Sequence, residues 1–129
     1  VQADVVTTIP LAETDLLVCA TTARQPLFDD AALPDHAVVV AVGSHEPDAR
    51  ELPSSLMARS FVAVESRVVA RREAGDVVLA ETDLGRDVIS ADLGELVRGM
   101  PATRGRPRVL KTVGEAWEDL TVARALIDS

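Results

Sequence analysis

The stretch HAVVVAVGS at residues 36–44 constrains the fold more than any other part of the sequence. Valines and alanines follow one another with no polar interruption until Gly43 closes the run. A strand that does not alternate polar with apolar residues has both faces covered, the usual setting of a parallel sheet between helices. DLLVCATT (15–22), SFVAVES (60–66) and RVLKT (108–112) read the same way, and ADVVTTI (3–9) is a weaker strand candidate. Helical patterns fall between them. PSSLMARS (53–60) starts with Pro and Ser, and SRVVARREAGDVVLAE (66–81) reads as one helix weakened at Gly75. SADLGELVRG (90–99) closes on Gly99, and GEAWEDLTVARALID (114–128) is the clearest amphipathic helix. The segment 100–107 reads as a loop. Strands alternating with helices predict an α/β domain whose parallel sheet is flanked by helices. Phe28, Phe61 and Trp117 are the only aromatics, so the core must be built from Val, Leu, Ala and Ile.

Charge and cysteine usage narrow the partners. A net charge of −8 disfavours a surface for phosphate backbones, so no nucleic-acid partner is expected. The basic runs RVVARR and RGRPR are local exceptions and read as a solvated helix face and a loop. The single cysteine, Cys19, lies within an aliphatic run and reads as a small buried hydrophobe. One cysteine allows no internal disulfide, in keeping with a reducing, cytoplasmic setting. No stretch approaches the ~18 apolar residues that span a bilayer, and no signal-peptide pattern opens the chain. No membrane association and no metal site are expected.

In open parallel sheets, ligands sit outside the carboxyl ends of the strands. That rule selects Thr21–Thr22, Gly43–Ser44–His45, Glu65–Ser66 and Lys111–Thr112–Val113–Gly114, all small or polar groups directly after an apolar run. A dinucleotide-binding domain normally opens with a G-x-G-x-x-G turn. The glycines here, at 43, 75, 85, 94, 99, 105 and 114, do not form one.

Four segments carry a resemblance: DLLVCATTARQPLF, AVGSHEPDAREL, RREAGDVVLA and LGELVRGMPATRGRPRVLKTVGEAWEDLTVARAL. In order and spacing they resemble the C-terminal half of the ornithine cyclodeaminase/mu-crystallin family, from Asp15 to Ser129. The resemblance implies that residues 1–129 are the C-terminal part of a Rossmann-type NAD(P)-binding domain, ending in the helix 114–128. It also implies an incomplete sheet lacking the Gly-rich first βα unit and the family's dimerisation domain. The implied parent is an NAD(P)-dependent oxidoreductase, a homo-oligomer (a homodimer in the family), acting on a small amino acid, imine or keto acid. The alternative is a non-catalytic, crystallin-like protein that binds NADP(H) or another ligand. Taken alone, the chain is expected to be catalytically silent.

The resemblance places Thr21, Thr22 and Ala23 in the loop along the cofactor, though the same residues also suit a plain strand end. It places Val42 and Ser44 beneath the nicotinamide ring and Thr112 facing that ring, with Leu110 where the family usually has Phe. Glu73 borders the implied substrate pocket, or is an ordinary helix glutamate. His45 stands where cyclising members carry aspartate, which argues against ornithine cyclisation. It is either a proton carrier near neutral pH or a residue of the pocket rim.

Overall fold

The computed structural model describes residues 3–99 and 103–128, and within them the chain forms five strands and five α-helices. The strands are β1 (Leu16–Cys19), β2 (Val38–Ala41), β3 (Phe61–Val64), β4 (Ala91–Asp92) and β5 (Arg108–Lys111). They pair entirely in parallel, in the order β1-β2-β5-β3-β4. The chain skips a position after β2 and returns to fill it with β5, so β5 lies at the centre of the sheet. Leu17, Val39, Val109 and Val62 share one row, and Cys19, Ala41, Lys111 and Val64 share the row at the carboxyl end. The carboxyl ends of these four strands therefore lie along one edge.

The helices are α1 (Ser54–Arg59), α2 (Arg67–Glu73), α3 (Gly75–Leu84), α4 (Leu93–Arg98) and α5 (Ala116–Ile127). Leu56 and Met57 of α1, Ala70 of α2, and Val77 and Ala80 of α3 pack on Leu17, Cys19, Val39, Val62, Val64 and Val109. Each Val, Leu or Met side chain among them, once removed from water, contributes about 1.5–3 kcal/mol before entropy is counted.

Helices flank the sheet as expected, but the covering is uneven, since on the second face only the β3–β4 end is covered, by α4. On the opposite face Leu16 is 60% and Val18 57% exposed, and only Phe61, Ala63 and Ala91 are buried there, beside Leu96 of α4 and Leu110. Of the aliphatic strands, β3 alone is buried along its whole length. Among the described residues no helix packs over β1 and β2 on that side, so an unbroken aliphatic run did not mean two buried faces. The N-terminal candidate also fails: described residues of 3–9 form no strand and are exposed. Its β-branched residues have no covering layer to pack against, and β propensity expresses itself only where there is such packing.

The helix read across 66–81 is two helices. Ala74 (φ −82°, ψ 96°) leaves the helical region and caps both. A Cβ on Gly75 would collide with the carbonyl oxygens of Ala49 and Glu46, so glycine lets α3 begin hard against the 46–49 turn. In α4, Asp92 and Glu95 form a reciprocal capping box, and Gly99 closes the helix as expected. Residues 100–102 of the expected 100–107 loop lie outside the described residues. The amphipathic pattern of α5 corresponds to a real helix, but none of its residues is buried.

Candidate functional site

The loops after β1 and β2 meet on one buried carboxylate. Glu51 is completely buried. Its Oε1 accepts from the Thr21 amide at 2.7 Å and the Thr21 hydroxyl at 2.8 Å, and its Oε2 accepts from the Gly43 amide at 2.8 Å. A Cβ on Gly43 would lie 2.6 Å from Glu51 Oε1 and closer still to the Thr21 backbone, so only glycine permits this approach. The Thr21 hydroxyl in turn accepts from the Ala23 amide at 3.2 Å, which sets the course of the loop beyond β1.

Glu51 is itself held in place. Asp76, at the start of α3 and fully buried, accepts from the amides of Glu51 and Leu52, each at 2.8 Å. Asp76 thus braces backbone distant in sequence. Its other oxygen faces Lys111 Nζ at 3.3 Å, an ionic contact rather than an aligned hydrogen bond. Lys111 Nζ also donates to the Ala41 carbonyl at 3.3 Å. Burial pushes the Asp76 carboxyl upward, against the pull of the Leu52 amide, Lys111 and the Glu51 amide. Desolvation therefore outweighs pairing in this cluster. On the neighbouring loop, Glu65 Oε2 accepts from Val113 at 2.9 Å and Gly114 at 3.2 Å, tying the end of β3 to the end of β5.

Cys19 sits in the same layer. Burial first, then Glu51 and Asp76, push its thiol up to about 11. At neutral pH the thiolate is then on the order of one part in ten thousand. Cys19 is expected to resist alkylation in the native protein and to react fully once unfolded, as read by iodoacetamide labelling and mass measurement with and without urea. Fast native labelling would contradict the packing of β1.

A small cleft of about 90 Å³ opens beside this edge, lined by Thr22, Ala23, Arg24, Ser44, His45 and Glu46 among others. Five of the residues singled out from sequence thus come together: Thr22, Ala23, Gly43, Ser44 and His45. Thr21 is committed inward to Glu51. Ser44 is buried and its hydroxyl donates to the Ala49 carbonyl, so it offers the cleft only the rest of the residue. His45 is exposed, with Nδ1 3.3 Å from the Gly43 carbonyl oxygen. Val42 is exposed just past β2, and Thr112 follows β5 with its amide donating to Ala41 at 3.0 Å. Glu73 does not line the cleft; its Oε1 accepts from the adjacent Arg72.

Among the described residues, the hydroxyls of Thr22 and Thr112 have no partner. Val42 and Thr112 follow paired positions at the ends of β2 and β5, and an apolar side chain with an uncommitted hydroxyl at that edge suits a flat ring bearing an amide. The cation of the cleft, Arg24, is engaged by Glu46 at 2.7 Å and Asp48 at 2.5 Å, leaving no free cation there for a phosphate. The residues present fit the neutral end of a dinucleotide and not its pyrophosphate. No three His, Cys, Asp or Glu side chains converge to hold a metal among the described residues. Nor is any helix among them long and apolar enough to cross a membrane.

Sequence reasoning missed Glu51, and although it placed Lys111 at a strand end it did not foresee that Lys111 is buried against Asp76. A charged residue inside the pattern RVLK, at the position whose neighbours two before and after face the core, was the available signal for Lys111. Glu51 gave none, since it follows a turn rich in acids.

A parallel sheet covered by helices, with glycine-assisted polar loops gathered at its carboxyl edge, defines a Rossmann-like α/β domain. The chain belongs to the ornithine cyclodeaminase/mu-crystallin family, whose sequence profile matches residues 1–129. It is 38% identical over 116 residues to the ketimine reductase mu-crystallin of Rattus norvegicus, covering 89% of this chain and 36% of the relative. It is 37% identical over 115 residues to Delta(1)-pyrroline-2-carboxylate reductase 1 of Burkholderia multivorans, again covering 89% and 36%. Among solved structures, the Thermococcus litoralis Delta(1)-pyrroline-2-carboxylate reductase in complex with NADH and L-proline superposes with a TM-score of 0.80 at 31% identity. That likeness covers 88% of this chain and 37% of the other. The chain thus spans about a third of the length of the relatives it matches.

Proposed function

We propose that this chain is the nicotinamide-facing part of an NAD(P)-dependent oxidoreductase acting on a small amino acid, imine or keto acid. Imine reduction is the direction its reductase-named relatives favour. The observation that carries the reading is the gathering of Thr22, Val42, Ser44, His45 and Thr112 at one edge of a wholly parallel sheet. The cofactor, when bound, would supply the hydride, two electrons and a proton's mass delivered to the imine carbon, while a proton goes to the nitrogen. Val42 would pack on the ring and Thr112 would hydrogen-bond its amide, fixing which ring face is presented. Thr22 and Ala23 would lie along the neighbouring ribose. With Nδ1–H donating to Gly43, His45 keeps Nε2 as its basic nitrogen, placed to hold or release the proton. Glu73 would border the substrate. An imidazole has no fixed negative charge to set opposite a cationic amine, so ornithine cyclisation is not the activity we assign. We propose a cytoplasmic homodimer as the working form.

Titration with NADH and NADPH, followed by nicotinamide fluorescence, is expected to give saturable binding weaker than about 1 μM, an interaction of less than about 8 kcal/mol. Such weakness follows from a cleft whose arginine is already paired. Tighter binding would contradict the account of Arg24, and no binding at millimolar cofactor would remove the proposal. The reaction itself is tested in the parent polypeptide with pyrroline-2-carboxylate and with pyruvate plus ammonia. Inactivity combined with tight ligand binding would favour the non-catalytic, crystallin-like alternative.

A further inference from the structure

The basic run RGRPR takes no part in the cofactor-facing edge. It enters β5 from its amino end and lies at the opposite end of the sheet. There a cleft of about 240 Å³ is lined by Arg104, Arg106 and Arg108, together with Asp35, His36 and Thr103. Three arginines lining one small space bring like charges together, and these repel one another unless an anion joins them.

The acidic groups nearby are engaged elsewhere. Asp35 pairs with Arg59 at 3.2 Å, and Asp15 with His36 at 3.1 Å. Among the described residues neither Arg104 nor Arg106 forms an ion pair. Two of the three guanidiniums are nonetheless held in place by uncharged partners. Arg106 stacks over the Phe61 ring at 5.3 Å, and Arg108 donates to the His36 carbonyl at 2.8 Å. Orientation without neutralisation is what an anion site requires, because the donors are positioned and their charge is unspent. In a chain of net charge −8, three arginines around a cleft with a single carboxylate, Asp35, are the exception.

We propose that this cleft binds a phosphate or pyrophosphate group, either free or as the terminus of a small phosphorylated molecule. The size supports a phosphoryl group alone: sites that enclose whole drug-sized ligands start at roughly 300 Å³. Arginine's planar fork matches phosphate oxygens two at a time, and the Thr103 hydroxyl adds a neutral donor on the same wall. The site is separate from the nicotinamide-facing edge and stands whether or not that reading holds.

The test is an amide NMR titration of the chain with pyrophosphate, inorganic phosphate and ribose 5-phosphate, ionic strength being held constant with chloride. Saturable shifts confined to residues 35–36 and 103–108 are expected, with pyrophosphate tightest if the ligand is a free anion. Tighter binding of ribose 5-phosphate than of inorganic phosphate would instead identify the phosphorylated-molecule source. The double variant Arg104→Gln/Arg106→Gln, whose fold the same spectra verify, should weaken binding at least tenfold. Unsaturable shifts, shifts spread equally to Arg24 and Arg71, or acetate binding as well as phosphate would each overturn the proposal.

Discussion

Asp76→Ala is expected to destabilise the fold by about 3–5 kcal/mol, the range for breaking a buried charge pair from one side. Two losses combine. The amides of Glu51 and Leu52 lose their acceptor, and the Lys111 ammonium stays buried without its counter-charge. Urea denaturation at neutral pH measures the cost. The companion variant Asp76→Asn/Lys111→Met should come within about 1 kcal/mol of the wild type, because uncharged groups of similar shape often replace a buried pair at little cost. The upward push on the Asp76 carboxyl makes the same point: its desolvation exceeds what its partners return. If the double variant were as destabilised as Asp76→Ala, uncharged groups would not substitute for the pair and the argument that desolvation outweighs pairing would be wrong.

The second large effect falls on the candidate site itself. Glu51→Ala removes the acceptor shared by Thr21 and Gly43. Two amides and a hydroxyl must then find water or go without, at about 1–3 kcal/mol for each group left unsatisfied. A net loss of about 2–4 kcal/mol is expected, reduced by any water that enters the space. Hydrogen exchange provides the specific readout: the Thr21 and Gly43 amides should exchange much faster while those of β3 stay protected. Glu51→Gln should fall between, since an amide keeps one acceptor oxygen and turns a donor towards the other amide. Protected Thr21 and Gly43 amides in Glu51→Ala would show that the loops hold their own positions and that the carboxylate is incidental.

These two variants mark where the sequence stops being readable. The strands β1, β2, β3 and β5 announce themselves as aliphatic runs, and Gly43 and Gly99 punctuate as glycines do. Thr22, Ser44 and His45 were selected by following strand ends and Ala23 by the family resemblance, and the cleft gathers them. β4, only Ala91–Asp92, is too short to leave a pattern. The break at Ala74 depends on Gly75 pressing against the 46–49 turn, a contact between segments far apart in the chain.

What the sequence alone determined is the local chemistry: aliphatic strands, helices between them, an all-parallel arrangement, and the motifs that carry the family. Tertiary structure decided which face of the sheet is covered, which carboxylates are buried, and which strand lies in the middle. Those outcomes depend on pairs such as Glu51 with Gly43 and Asp76 with Lys111. A side chain's solvation and charge partners are properties of the packed ensemble of segments, so no local pattern can encode them. Serine offers a case in point: Ser44 was chosen for its hydroxyl, and packing turned that hydroxyl inward to the Ala49 carbonyl.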